Sequence, residues 1–336
     1  MKAIYYDRYG SPDNLALIDI PSPVPKSNEV LVRVYAASIN SWDWDMILGE
    51  FAFTRLWGLF KPKHKILGSD IAGRVETVGN AVKKFKPGDE VYGDIVENGW
   101  GGFAEYACAR EHELAFKPAS MSYEQASAIP QAGLLALQGI RDFGKLQKGQ
   151  HILLNGAGGG VGTIGVQIAK MLGGEITVVD KADKLALLKT LGADHVIDYQ
   201  KEDFTNNGLK YDLIVDVVAN RPIFRYKKAL APGGLFVMIG GTTSSILQMM
   251  TLGTMISQMK KIFSRPSYRR LAMMGYKPGQ GLDDMSTFFE EGKVIPIIDK
   301  VFPLADTAQA FKYFASGLFK GKVVIKIVDG PTVDSR

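Results

Sequence analysis

The chain has 336 residues, 46% hydrophobic and 22% charged, with a formal net charge of +5. That length can bury two separate cores, and that balance is typical of a globular chain, not of a disordered or collagen-like one. The single cysteine, Cys108, excludes an intrachain disulfide framework, and the four histidines, His64, His112, His151 and His195, lack metal-ligand spacing.

From the first residue the chain reads as β-rich. MKAIYYDRYG lacks the apolar core of a signal peptide, and no apolar run approaches a membrane span, so a cytoplasmic location is expected. In VLVRVY, Val30, Val32 and Val34 alternate with Leu31, Arg33 and Tyr35, the period of a half-buried strand. GRVETVG, DEVYGDI and GFAEYACA follow as further strands, separated by turns such as Lys86-Pro87-Gly88-Asp89. Cys108, among apolar neighbours in the last of these, is expected to be a small buried side chain without a nucleophile's role.

From Tyr123 strands alternate with helices, which predicts a doubly wound parallel sheet. Its first unit is HILLNGAGGGVGTIGVQIAKMLGGEITVVD, His151 to Asp180. Ile152, Leu153 and Leu154 suit a strand buried on both faces, and the turn after it holds Gly156, Gly158, Gly159, Gly160, Val161 and Gly162. Glycines there let a diphosphate approach the backbone without meeting a Cβ. Val161, Ile164, Gly165, Ile168 and Leu172 then share one helical face, so the helix can lie on the sheet and aim its N-terminal N–H groups at the phosphates. Asp180 ends the second strand eighteen residues after Gly162, near the spacing of roughly 20 at which a carboxylate meets a ribose hydroxyl. Adenosylmethionine-dependent methyltransferases share this geometry and remain an alternative at this point.

HVIDY, YDLIVDVV and GLFVMIGG continue the strand series, with Asn220 and the pair Gly240 and Gly241 at strand ends that should face the ligand. Residues 242–281 are rich in methionine (Met249, Met250, Met255, Met259, Met273, Met274), suited either to a pocket wall or subunit contact or to core packing. Basic clusters at Lys61, Lys63 and Lys65 and at Lys260, Lys261, Arg265, Arg269 and Arg270 show only a faint echo of interleaved aromatics in Tyr268 beside Arg269, so nucleic acid is not the expected partner. KVIPIIDKVFPL and GKVVIKIV return to β structure. The expected division is residues 1–122, 123–290 and 291–336, the last rejoining the first.

SPDNLALIDIPSPVPKSNEVLVRVYAASIN, ILGSDIAGRVETVG, FKPGDEVYG, GGFAEYA, NGAGGGVG, LGADHVIDY and the closing GKVVIKI occur in this order. Together they resemble the zinc-free quinone oxidoreductase branch of the medium-chain dehydrogenase/reductase superfamily. The resemblance implies an α/β protein: a Rossmann doubly wound parallel sheet plus a GroES-like β-rich catalytic domain formed by both chain ends. It also implies a metal-free reaction, because Asn40 and Ser69 stand where zinc alcohol dehydrogenases of the superfamily place a cysteine and a histidine ligand, and the structural-zinc loop is missing. A reduced nicotinamide would then give hydride to a quinone or an α,β-unsaturated carbonyl, with hydrogen-bond donors needed at the developing oxyanion.

The resemblance places Asn40 and Asp43 as catalytic candidates, with Trp44 and Asp70 lining a substrate pocket. Asn40 can donate to a substrate oxygen, whereas an ionised Asp43 can only accept. No dedicated proton donor stands out. Pro130, Gln131 and Gly133 match a segment that usually carries threonine where Leu135 stands. Asp180 favours NAD(H), since it would repel a 2′-phosphate, while Lys184 and Tyr199, aided by Lys181, make NADP(H) the alternative. Lys322 is a further candidate cofactor contact. A homodimer through an edge strand near YRRLAMMG is expected. The rival functional class is a nucleotide-binding sensor or structural protein without turnover.

Overall fold

The first seven strands of the chain are β1 (Lys2–Tyr5), β2 (Ala16–Asp19), β3 (Glu29–Ser38), β4 (Asp70–Val78), β5 (Glu90–Asp94), β6 (Tyr106–Arg110) and β7 (Leu114–Phe116). The computed structural model describes residues 1–50, 54–253 and 269–328. These fall into two compact units: Met1–Leu134 with Lys277–Gly292 and Pro296–Arg336, and Leu135–Tyr276 with Lys293–Ile295.

In the first unit β3 is the organising strand. It pairs antiparallel with β4 along its length, with β6 through Glu29–Arg33 and with the chain's last strand through Ala36–Ser38. The alternation in VLVRVY predicts a half-buried strand, yet only Arg33 of the ten residues is exposed, because β3 has partners on both edges and packing on both faces. Short helices follow: α1 (Ser41–Leu48), α2 (Tyr123–Ser127) and α3 (Pro130–Leu137). The change of pattern at Tyr123 does not coincide with the unit boundary at Leu134/Leu135. The reason is that α2 lies against β3 and β4. Residues Lys277–Gly292 also belong to this unit, held by the Tyr92 hydroxyl, which donates to the Leu282 carbonyl at 2.8 Å, and by the fully buried Met285.

The second unit is a six-stranded, all-parallel sheet of β8 (His151–Asn155), β9 (Glu175–Asp180), β10 (His195–Asp198), β11 (Tyr211–Asp216), β12 (Leu230–Met238) and β13 (Arg270–Met273). Its order, β10-β9-β8-β11-β12-β13, reverses direction between β8 and β11. That is the topological switch point at which doubly wound sheets bind ligands, outside the carboxyl ends of the strands. Helices α4 (Gly160–Met171) and α5 (Ala182–Thr190) are the first two crossovers. Met249 and Met274 are buried, while Met250 and Met273 are about half exposed. Met255, Met259, Lys260, Lys261, Arg265 and Tyr268 lie outside the described residues.

The chain then re-enters the first unit as β14 (Ile298–Pro303) and β15 (Lys322–Lys326), which run parallel to each other. β15 pairs antiparallel with β3, setting Val324 opposite Ser38. Val323 and Ile325 join the same core as Val32, Ile39 and Phe311. Cys108 corrects the expectation of full burial. In β6 it sits on the partly exposed face between buried Ala107 and Ala109, though burial still pushes its thiol up to about 11. Replacing Ile325 by Ala removes a fully buried side chain from the last strand and is expected to lower stability by about 2–5 kcal/mol, measured as a fall in the urea midpoint at unchanged slope.

Candidate active site

A buried polar cluster forms in the first unit where β3, β4 and β15 meet. Asn40 follows β3 in extended backbone and precedes α1, so the alternation of an extended chain puts Ser38 and Asn40 on one face. Asp70 opens β4 and Lys322 opens β15. Lys322 Nζ donates to Asn40 Oδ1 at 2.5 Å and to Asp70 Oδ2 at 3.3 Å, with its side chain only 5% exposed. Ser38 Oγ donates to the same Asp70 oxygen at 3.3 Å, and the Gln131 backbone N–H to the other at 3.0 Å. Asn40 Nδ2 donates to Ser69 Oγ at 3.4 Å, a long bond. A lone buried ammonium or carboxylate would be costly; paired and hydrogen-bonded on every side, the two are tolerated.

Asp43 is fully buried, and both its oxygens are taken by main chain. Oδ2 accepts from the Asn40 N–H and Oδ1 from the Gly68 N–H, each at 2.9 Å. Gly68 has φ +88° and a Cβ there would sit 2.8 Å from the Phe103 nitrogen, so glycine is required. Asp43, expected as a catalytic candidate, is seen here in a structural setting: its carboxylate ties the 68–70 turn to the start of α1. Trp44 packs, half-buried, against the first unit's core.

Lys322, expected as a cofactor contact, lies beside Asn40 and Asp70. Its pairing and the place of Ser38 escape sequence reasoning, which had Gln131 only as part of a matched segment. Of these, only the spacing of Ser38 two residues before Asn40 was a usable signal.

In the second unit, Gly156 follows β8 with φ +80°, and a Cβ on it would lie 2.7 Å from Val218 Cγ2. Gly159 caps α4 without a side-chain bond, so the first-turn N–H groups from Gly160, Val161 and Gly162 carry no side-chain cap and suit a diphosphate. Asp180 ends β9 with one oxygen accepting from the Gly158 N–H at 2.7 Å and the other from the Lys181 N–H at 2.8 Å. Lys184 is buried, its ammonium 3.9 Å from Asp180 Oδ1. Tyr199 is 43% exposed and donates its backbone N–H to the Asp180 carbonyl. Across the switch point Asn155 Nδ2 donates to both oxygens of Asp216, of which Oδ1 also accepts the N–H groups of Val218 and Ala219. Asn220 beyond them is exposed. Gly240 and Gly241 follow β12, where a Cβ on Gly240 would lie 2.5 Å from the Val217 carbonyl oxygen. The glycine loop, the uncapped helix start and the acid at the end of β9 fit a dinucleotide.

An alcohol dehydrogenase GroES-like domain model matches residues 26–119, and a zinc-binding dehydrogenase model matches residues 191–325. The chain is 34% identical to a 2-methylene-furan-3-one reductase of Solanum lycopersicum, over 97% of this chain and 79% of that one. The chain belongs to the quinone oxidoreductase branch of the medium-chain dehydrogenase/reductase superfamily. It is also 32% identical, over 97% of its length and 79% of the relative's, to an NADPH-dependent alkenal/one oxidoreductase of Arabidopsis thaliana, described as chloroplastic. Among solved structures, the quinone oxidoreductase of Coxiella burnetii superposes with a TM-score of 0.86 at 28% identity, covering 98% of this chain and 99% of that one. The branch explains both flanks of the nucleotide unit, which a methyltransferase would not. Among the described residues no helix is long and apolar enough to cross a membrane, and no group of histidine, cysteine and acidic side chains could hold a metal ion.

Burial pushes the Asp43 carboxyl up to about 7, against the two backbone N–H bonds and the Lys322 charge that favour its ionised form. A folded-state value above the unfolded 3.8 means that Asp43 contributes stability present in full below about pH 4 and lost as pH rises through 7. Glu113, also raised to about 7, titrates in the same window in any Asp43 variant. Asp43→Asn is therefore expected to flatten part of the decline in urea midpoint between pH 4 and pH 8. A slope equal to that of the parent chain would refute this account of Asp43.

Proposed function

We propose that this chain is a zinc-independent, NAD(P)H-dependent oxidoreductase that passes hydride to a quinone or an α,β-unsaturated carbonyl. The observation that carries the reading is the state of Asn40. Lys322 donates to its Oδ1, which fixes the amide so that it presents Nδ2 as a donor, held only by a long bond to Ser69. When bound, the reduced nicotinamide supplies the hydride to the acceptor's electron-poor carbon. Negative charge gathers on the acceptor's oxygen, where Asn40 Nδ2 donates and Lys322, through Asn40, adds positive potential. Asp43 acts on the reaction only by positioning the Asn40 backbone. Asp70 holds Lys322 in place.

Zinc independence is supported by the donor chemistry at the two positions that differ from the zinc enzymes. Asn40 and Ser69 bond to each other, and a fixed ammonium adjoins Asn40, which opposes a second, divalent charge at the same place. The named relatives, a furanone reductase, an alkenal/one oxidoreductase and a quinone oxidoreductase, support the acceptor class.

In the second unit, the α4 N-terminus and the glycine loop hold the diphosphate, with Gly240, Gly241 and Asn220 at neighbouring strand ends. Asp180 favours NAD(H). Lys184 beside it offsets the carboxylate's repulsion of a 2′-phosphate and Tyr199 lies within reach of the same strand end, which supports NADP(H) as the second cofactor. A homodimer through β13 is supported by that strand's having a partner on only one edge among the described residues.

Oxidation of NADH and NADPH, followed separately by absorbance against quinones, alkenals, aldehydes and ketones, tests the activity. Turnover is expected with the first two classes, and its absence throughout would leave a nucleotide-binding protein without chemistry. Asn40→Leu should lower kcat about 100-fold, the usual effect of removing one oxyanion donor. Asp180→Ser should move the ratio of kcat/KM toward NADPH and Lys184→Met toward NADH; unchanged ratios would remove these residues from cofactor choice. Light scattering should give twice the chain mass, and Ala272→Pro in β13 should return it to one.

A further inference from the structure

Every polar side chain of the Asn40 cluster has a partner except one. Ser38, Asn40, Ser69, Asp70 and Lys322 are all hydrogen-bonded. Gln131 is 3% exposed and its side-chain Nε2, fully enclosed, meets no acceptor. Its backbone N–H is fixed on Asp70 Oδ1, and Asp70 in turn holds Lys322, so Gln131 adjoins the same buried polar cluster as Asn40.

We infer that Gln131 is a substrate-binding residue: its amide N–H donates to an acceptor oxygen of the bound quinone or enone, alongside Asn40. The inference rests on the reductase reading and names a second donor for it. A buried donor left without an acceptor burdens the folded state, and native chains retain few such groups. One carried by the residue whose backbone N–H holds Asp70, the partner of Lys322, has a use when something with an oxygen arrives. Residue type agrees: at the second position of α3, between Pro130 and Ala132 in an otherwise apolar helix PQAGLLAL, packing alone calls for an apolar side chain. Two donors from different elements, Asn40 at the end of β3 and Gln131 on α3, give an acceptor oxygen the paired hydrogen bonds that stabilise developing charge better than one.

The test is Gln131→Met, which keeps the volume and removes the amide, beside Gln131→Glu, which keeps the shape and removes the NH2. In Gln131→Met the ligand-free chain should melt higher by roughly 2–4 °C, since an unmet donor is gone. Its kcat/KM for the quinone or alkenal should fall about tenfold, the cost of one hydrogen bond. The Kd for NADH and NADPH, measured by fluorescence, should not change. Gln131→Glu should lose at least as much kcat/KM. A lower melting temperature in Gln131→Met, unchanged kcat/KM in either variant, or a loss confined to cofactor binding would each overturn the inference. Parent protein that oxidises neither cofactor with any acceptor fails the reductase reading instead, which the parent assay reports separately.

Discussion

One ammonium group sets the chemistry of the first unit. Lys322 comes from the last strand of the chain, and its charge is neutralised by Asp70, which lies 252 residues earlier. In a water-excluded interior that pairing is tolerated only with every lone pair and proton placed, so the strands that carry it are held in register around it. β15 must pair with β3, β3 with β4, and Asn40 must follow β3 in extended backbone for the three side chains to meet. The return of the chain to its first unit is thus a condition of the site as well as of the core.

The second unit meets a different constraint, the need to bring an anionic ligand to backbone without burying unpaired charge. It does so with geometry: a left-handed glycine at the end of β8, a helix start without a side-chain cap, and a switch point braced by Asn155 on Asp216. Asp216 in turn satisfies the N–H groups of Val218 and Ala219, and Ala219 takes a positive φ there. The loop after β11 is therefore held rigid beside the glycine loop by one buried carboxylate.

Most of this second unit was legible in the sequence, because a parallel strand buried on both faces, a glycine turn and an amphipathic helix leave local signals that need no distant partner. The strand series after Asp180 could be read for the same reason. Legibility stopped where meaning depends on contacts between remote segments. Lys322 reads as a candidate cofactor contact, and only β15 lying against β3 shows it buried beside Asn40 and Asp70. Asp43 reads as a catalytic candidate beside Asn40, and only the turn at Gly68 shows where its second oxygen goes. β3 reads as half-buried because periodicity reports side-chain polarity, not the partners on each edge. The unit boundary slipped past α2 because a helix's composition does not say which sheet it covers.

Asp180 shows how a residue singled out in the sequence can change meaning in the fold. Its carboxylate already accepts the N–H groups of Gly158 and Lys181 and faces the buried Lys184 ammonium. A ribose diol donates to a carboxylate, so it can share these oxygens, each of which has a further lone pair, without displacing the backbone bonds. A 2′-phosphate brings only acceptors and must instead draw Lys184 away from Asp180, losing an ion pair to form another. Under the proposed binding, discrimination between the two cofactors is a difference between adding a hydrogen bond and exchanging a salt bridge. Salt weakens both sides of that exchange, though least for the buried pair, so added salt acts against the phosphate-bearing cofactor more than against the plain one.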